Sequence, residues 1–394
     1  MHGAVVRRLA PATALLVAAA ACADPSRAPT APAAQPIPGQ YIVVYRDRVT
    51  DVDGATADKL ARRAARTALR AEARAAKRLF RHALKGFVAD LDADDVAELR
   101  ADPDVAYVEQ DQMMYPIATQ ANATWGIDRV DDRSLPLDGT YTYARAGAGV
   151  RVYVIDTGLL TAHAEFSGRA SNVYDGVGGR GQDCNGHGTH VGGTIGGETF
   201  GVAKDALLRG VRVFSCSGGS ANSTIIAGID WVTANHVKPA VANLSLGGGY
   251  SQATNDAVTR LSNAGVFVAV AAGNENQDAC DASPASAPVV TTVAASTRTD
   301  ARASYSNFGP CVDLYAPGSS ITSSWYTSTT ATNTISGTSM ATPHVAGVAA
   351  LYKSANGDAS QATIDAWLKN NATANVITGN PGGTPNRLLY KGAL

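Results

Sequence analysis

Ser339 sits in the stretch SGTSMATPHVAG, where almost every neighbour is small. A hydroxyl surrounded by glycine, alanine and threonine suits a nucleophile that a substrate backbone must approach closely. Such a serine needs a base, a group to orient the base, and donors for the charge that develops on the substrate oxygen. His187, between two glycines in DCNGHGTHVGGTIGG, is the candidate base. Asp156, which closes the apolar run VRVYVID, is the candidate orienting carboxylate. Asn274, which closes VAVAAGN, offers a side-chain amide as oxyanion donor. Each has a plainer explanation when taken alone: Asp156-Thr157-Gly158 makes a turn, and Ser339 caps a helix. Zinc at His187 and His190 is disfavoured, because HExxH and an acidic third ligand are absent.

The elements that must hold these residues are readable. The runs VRVYVID, LLRGVRVF, AVANLSL, GVFVAVAAG and VVTTVAAS are Val-rich with little alternation, as strands buried on both faces are. Helical stretches such as STIIAGIDWVTANH and ATNDAVTRLSNAG lie between them. This alternation predicts an α/β fold with a doubly wound, mostly parallel sheet and helices on both faces. Sites in such sheets form beyond the carboxyl ends of strands, where Asp156 and Asn274 fall. HVAGVAALY predicts a helix with Ser339 at its start and Pro343 in the first turn, where a missing N–H costs nothing. A helix start also favours negative charge beside the serine.

Upstream lies a smaller α+β module. GQYIVVYRD, LKGFVADL and VAYVEQDQM read as strands, DADDVAELRADP as a short helix, and the Ala- and Arg-rich residues 55–83 as one long helix. Its arginines have no interleaved aromatic residues, so a solvated face is favoured over nucleic-acid binding. The length of 394 residues allows about two to three domains, and the net charge of −1 gives no reason to expect a nucleic-acid partner. Residues 1–23 have the basic start, apolar stretch and small-residue end of a signal peptide, and residues 24–38 read as a Pro- and Ala-rich linker. Secretion is therefore expected, with a lipid anchor at Cys22 as the alternative; Ala19 stands where lipoproteins usually have leucine. The remaining cysteines, Cys184, Cys216, Cys280 and Cys311, are an even number in an exported chain, which suggests disulfides in one of three connectivities.

VIDTG, NGHGTHV, LSLGGG, AAGN and GTSMATPHVAG together resemble the subtilase family of serine peptidases, on its proteinase K branch and closest to aqualysin-like enzymes. The order Asp, His, Ser agrees with that family. The resemblance covers residues 118–394, and residues 39–117 resemble the family's inhibitor propeptide, a ferredoxin-like folding aid removed by self-cleavage near Ile117. It implies a secreted, monomeric endopeptidase of broad specificity acting through Asp156, His187, Ser339 and Asn274. It implies that Gly218, Gly219 and Ser220, with Ser245, Leu246 and Gly247, form the two edges that flank an extended substrate. Ala271, Ala272 and Gly273 would wall an uncharged pocket. The pairing it implies is Cys184–Cys216 and Cys280–Cys311. It further implies structural calcium at the carbonyls of Pro288 and Val290 with the Asp313 carboxylate, and a second site at Asp128 and Asp131. Asp281 and Glu275 are acidic where relatives more often have neutral residues. A catalytically inactive binding protein and a cell-surface structural protein are the alternatives from other classes.

Overall fold

The structure is a computed structural model that describes residues 36–66, 76–112, 118–179 and 181–394. The expected signal peptide, Cys22, most of the linker and the expected cleavage junction lie outside the described residues. No described helix is long and apolar enough to cross a membrane.

The N-terminal module runs β1 (Pro36–Tyr45), α1 (Val52–Arg66), β2 (Arg78–Phe80), β3 (Gly86–Asp90), α2 (Ala93–Ala101) and β4 (Val105–Gln112). Its sheet has the order β2-β3-β1-β4 with antiparallel pairing throughout. Val43, Tyr45, Phe87, Val96 and Val108 form its core. Helix α2 starts at a capping box in which Asp92 and Asp95 satisfy each other's backbone N–H. The single helix expected over 55–83 is corrected here. Arg78, Leu79 and Phe80 form strand β2, because register with Val88, Phe87 and Gly86 outweighs the helix propensity of the surrounding Ala and Arg.

The C-terminal unit is built on nine strands. In chain order, the strands of its sheet and the long helices that flank it are β5 (Arg151–Asp156), β6 (Ala170–Asp175), α3 (His187–Gly196), β7 (Leu207–Arg212), α4 (Asn222–Asn235), β8 (Ala240–Leu244), α5 (Gln252–Asn263), β9 (Phe267–Ala271), β10 (Thr291–Ser296), β11 (Leu314–Pro317), α6 (Thr338–Asn356), α7 (Gln361–Asn371), β12 (Thr373–Ala374) and β13 (Arg387–Leu388). The sheet order is β12-β13-β11-β10-β9-β8-β5-β7-β6, parallel except for β12 on β13. The first strand of this sheet, β5, lies inside it between β7 and β8, so the chain winds outward in both directions and leaves a crevice at the carboxyl ends there.

Strand β5 shows why Val152, Tyr153, Val154 and Ile155 run without polar alternation. Val152 and Val154 belong to the core shared with Val191 and Ile195 of α3 and Val345 and Val348 of α6. Tyr153 and Ile155 belong to the opposite core, with Ile225 and Ile229 of α4 and Val258 of α5. A strand covered on both faces has no polar side to alternate with.

Candidate active site

Asp156 is fully buried at the end of β5. His187 is the first residue of α3, and its Nδ1–H donates to both Asp156 carboxylate oxygens at 2.8 and 2.9 Å. Burial pulls the His187 pKa down, and the charge and hydrogen bond of Asp156 more than reverse this, so it titrates above its ordinary value. The flanking glycines have separate reasons. Gly186 has φ +111°, and a Cβ there would lie 2.5 Å from the Trp325 ring; a Cβ on Gly188 would lie 2.2 Å from the Gly158 carbonyl oxygen.

A residue that sequence reasoning missed fixes this turn. Buried Asp183 accepts from the N–H groups of Asn185, Gly186 and Thr189 and from the hydroxyls of Thr157 and Thr189. Asp-Cys-Asn-Gly is an Asx-turn pattern, and that was the available signal.

Ser339 is the second residue of α6, so its backbone N–H has no partner within the helix. Asn274 Oδ1 accepts from both the backbone N–H and the hydroxyl of Thr338, at 2.8 and 3.0 Å. A backbone N–H can be accepted only by the oxygen of that amide, so the Asn274 orientation is fixed and its N–H₂ group stays available. Thr338 is a second missed residue. Glu275 accepts from the Asn274 backbone N–H and from Asn307 Nδ2, at 2.8 and 3.0 Å, which ties down the acidic departure seen in the sequence. Asp281, the other departure, is exposed.

Pro343 is not in the first turn of α6, as expected from the sequence, but is its sixth residue. It therefore removes the N–H that would bond the Ser339 carbonyl four residues earlier. The Ser245 hydroxyl takes that place and donates to the Ser339 carbonyl at 2.8 Å. Asn243 Nδ2 orients it by donating to Ser245 Oγ at 2.9 Å. In return the Ser339 hydroxyl donates to the Ser245 carbonyl at 3.1 Å. The small residues around Ser339 have two causes. A Cβ on Gly337 would meet only ordinary contacts at 3.6–3.7 Å, so packing does not demand that glycine and the space beside the serine stays open. A Cβ on Gly347 would press to 2.6 Å from Val202 Cβ, so further along α6 close packing is the reason.

Ser245, Leu246 and Gly247 follow β8 directly, and Ser245 touches Ser339. Ala271 ends β9, Ala271 and Ala272 are buried, and the Gly273 N–H donates to the Thr338 hydroxyl at 3.2 Å. Gly218 and Gly219 are exposed and Ser220 is partly so, in the segment after β7. That segment is joined to the His187 turn by the Cys184–Cys216 disulfide and by Asn185 Nδ2 donating to the Cys216 carbonyl at 3.0 Å. A second disulfide joins Cys280 to Cys311.

The calcium expectations divide. The carboxylates of Asp128, Asp132 and Asp138 converge within 4.8 Å. Asp128 is 2% exposed, its Oδ1 has no hydrogen-bond partner, and burial with the neighbouring Asp132 charge pushes its pKa up to about 7. Converging carboxylate oxygens, one of them buried and unpartnered, fit a hard cation. Asp131 is not among them: Lys391 Nζ lies 2.9 Å from its Oδ1, and the Thr142 N–H donates to Oδ2. Asp132 follows Asp131 directly in the sequence, and the distant Lys391 takes Asp131. The site expected at Pro288, Val290 and Asp313 does not fit either. Asp313 holds the Lys369 ammonium at 2.7 Å on Oδ1 and the Thr292 N–H at 2.7 Å on Oδ2.

Comparison with known proteins gives consistent results. The subtilase family profile matches residues 147–388, and that of peptidase inhibitor I9 matches residues 40–116. An extracellular serine proteinase of Thermus sp. (strain Rt41A) is 51% identical, covering 95% of this chain and 97% of its own. A cuticle-degrading protease of Metarhizium anisopliae is 42% identical, covering 94% of each chain. The crystal structure of a cold-adapted subtilisin-like serine proteinase superposes with a TM-score of 0.67 at 51% identity, covering 70% of this chain and 99% of that one. The chain belongs to the subtilase family of serine peptidases and carries an I9 inhibitor domain ahead of its peptidase domain.

Proposed function

We propose that this serine peptidase is a secreted endopeptidase of broad specificity, made as a zymogen, with Asp156, His187 and Ser339 as its catalytic triad. The observation that carries the reading is the two-pronged hydrogen bond from His187 Nδ1–H to buried Asp156. It leaves Nε2 as the proton acceptor, which is the tautomer a general base requires.

In this mechanism the Ser339 hydroxyl leaves the Ser245 carbonyl, turns toward His187 and gives up its proton to Nε2. The Ser339 Oγ–carbon bond forms as the proton transfers, and Asp156 stabilises the imidazolium. Asn274 Nδ2–H and the Ser339 backbone N–H donate to the oxyanion. His187 then protonates the leaving amine and the C–N bond breaks. Water, activated by the same histidine, hydrolyses the acyl-enzyme.

An extended substrate would lie between Gly218–Ser220 and Ser245–Gly247, bound mainly through its backbone. Ala271, Ala272 and Gly273 offer no charge to select for, which supports broad specificity with a preference for apolar groups. Self-cleavage near Ile117 would release the mature chain at Ala118, with the I9 domain as intramolecular inhibitor and folding aid. A structural calcium ion would be held by Asp128, Asp132 and Asp138, giving Asp128 Oδ1 the partner it otherwise lacks.

Casein hydrolysis, assayed with and without a serine-directed covalent inhibitor, tests the reading. Inhibitor-sensitive cleavage is expected, and Ser339→Ala should yield an inactive, unprocessed chain. Processed, active protein from that variant would refute the assignment. Cleavage only after Lys or Arg would refute the specificity.

A further inference from the structure

Lys369 has an unusual position. It lies on α7 one turn after Asp365, and its Nζ is 2.6 Å from Asp365 Oδ2 and 2.7 Å from Asp313 Oδ1. One ammonium thus bridges a carboxylate of its own helix and a carboxylate just ahead of β11. The remaining oxygens are also taken. Thr291 Oγ1–H donates to Asp365 Oδ1 at 3.0 Å, and the Thr292 N–H donates to Asp313 Oδ2 at 2.7 Å. Gln361 Nε2 donates to Thr291 Oγ1 at 3.0 Å, which aims the threonine proton at Asp365. All four carboxylate oxygens therefore have donors.

A calcium ion needs six to eight oxygen ligands at about 2.3–2.6 Å. To reach Asp313 it would have to share Oδ1 with an ammonium 2.7 Å away, or expel it. Sharing sets three positive charges against two negative ones at contact distance. Expulsion must overcome a cation that is tethered to the same helix as Asp365 and is never dilute. The three side chains are only 20–27% exposed, so bulk salt screens the cluster weakly. Burial pulls the lysine pKa down, but the hydrogen bonds from both aspartates reverse this and hold it above its ordinary value, so it stays charged at neutral pH. The contrast with Asp128, whose buried Oδ1 has no partner, is direct.

We propose that Lys369 is the resident counter-ion of the Asp313–Asp365 pair, and that the amino-terminal ends of β10 and β11 are held by a cation of the protein itself, without calcium. Among the described residues, divalent-metal dependence is then confined to Asp128, Asp132 and Asp138.

The test uses the full chain in a Ser339→Ala background, stripped of metal, with calcium as the probe and calorimetry and Tm as readouts. Asp128→Asn with Asp132→Asn should abolish calcium binding, and Asp313→Asn should leave it unchanged. Added to the Asp128→Asn/Asp132→Asn protein, Lys369→Met should lower Tm in chelator by roughly 2–4 °C and create calcium binding that restores it. Binding that survives Asp128→Asn/Asp132→Asn and disappears with Asp313→Asn overturns the proposal, as does Lys369→Met with neither effect. If Lys369→Met fails to fold, terbium soaked into crystals of the Ser339→Ala chain decides: an anomalous peak at Asp313 overturns the proposal, and its absence there upholds it. If the chain binds no calcium anywhere, the assignment to Asp128 fails while this one stands.

Discussion

Replacing Ser245 by alanine should cost stability in an amount the site itself specifies. The Ser245 hydroxyl donates to the Ser339 carbonyl and accepts from Asn243 Nδ2, and both Asn243 and Ser245 are buried. Ser245→Ala strips one acceptor and one donor of their partners. A buried polar group left unpaired costs about 1–3 kcal/mol, so the pair should cost roughly 2–6 kcal/mol. At roughly 2–4 °C per kcal/mol for a domain of this size, Tm should fall by roughly 4–24 °C. A second change separates this cause from general damage. Pro343→Ala restores an N–H four residues beyond the Ser339 carbonyl, so in the double variant the helix can satisfy the acceptor that Ser245 abandoned. About half of the lost Tm should return, since Asn243 remains unpaired. Activity should not return, because a carbonyl drawn into the helical ladder carries Ser339 with it. Tm is measured by scanning calorimetry in a Ser339→Ala background to prevent self-digestion, and kcat on a peptide substrate in the Ser339 chain. Strictly additive Tm losses, or a Ser245→Ala loss within about 1 °C, would show the reasoning to be wrong.

The remaining expectations concern pH, metal and cross-links. kcat/KM should rise with pH through a midpoint above 6.5, since His187 must be neutral to accept a proton and its pKa is raised; Asp156→Asn should move the midpoint down. A raised folded pKa means that the stabilisation His187 gives when protonated is complete below its unfolded pKa and lost as pH rises through the folded one. Tm measured across the same range should therefore lose this contribution as activity appears. Chelation should lower Tm, and Asp128→Asn should abolish that response, whereas Asp131→Asn should keep it and lose only the Lys391 pair; a chelation response that survives Asp128→Asn would exclude the site. Each disulfide spans 31 or 32 residues and contributes roughly 3–4 kcal/mol in the chain-entropy picture. Reduction should lower Tm before it lowers activity at moderate temperature, and four alkyl groups added without reductant would exclude both bridges.

The parallel sheet was legible because strands such as β5 are apolar over consecutive residues, Val152–Ile155, rather than alternating with polar ones. The candidate catalytic residues were legible because small residues and glycines crowd around them. Apart from Asp183, whose turn partners Asn185, Gly186 and Thr189 are local, what escaped sequence reading depended on partners far along the chain. Nothing near Asp131 announces Lys391, and nothing near Asp313 announces Lys369. Pro343 looked harmless while the helix was taken to begin later; only Asn274 accepting from the Thr338 N–H puts the helix start at Thr338 and makes the proline costly. Arg78–Phe80 read as helix because propensity is local, whereas strand pairing with Gly86–Val88 is not.

The Asp313–Lys369–Asp365 cluster lies where β10 and β11 begin, and the candidate catalytic residues lie where β5, β8 and β9 end. In a parallel sheet these are opposite rims. Selection for durability and selection for turnover can therefore act on different residues with little conflict. Randomising Thr291, Asp313, Asp365 and Lys369 in a directed-evolution library should spread half-lives at elevated temperature widely while kcat stays nearly constant. Randomising Asn243, Ser245 and Thr338 should shift both together. A lineage moving between cold and hot habitats would then adjust its lifetime at the rim that never meets substrate.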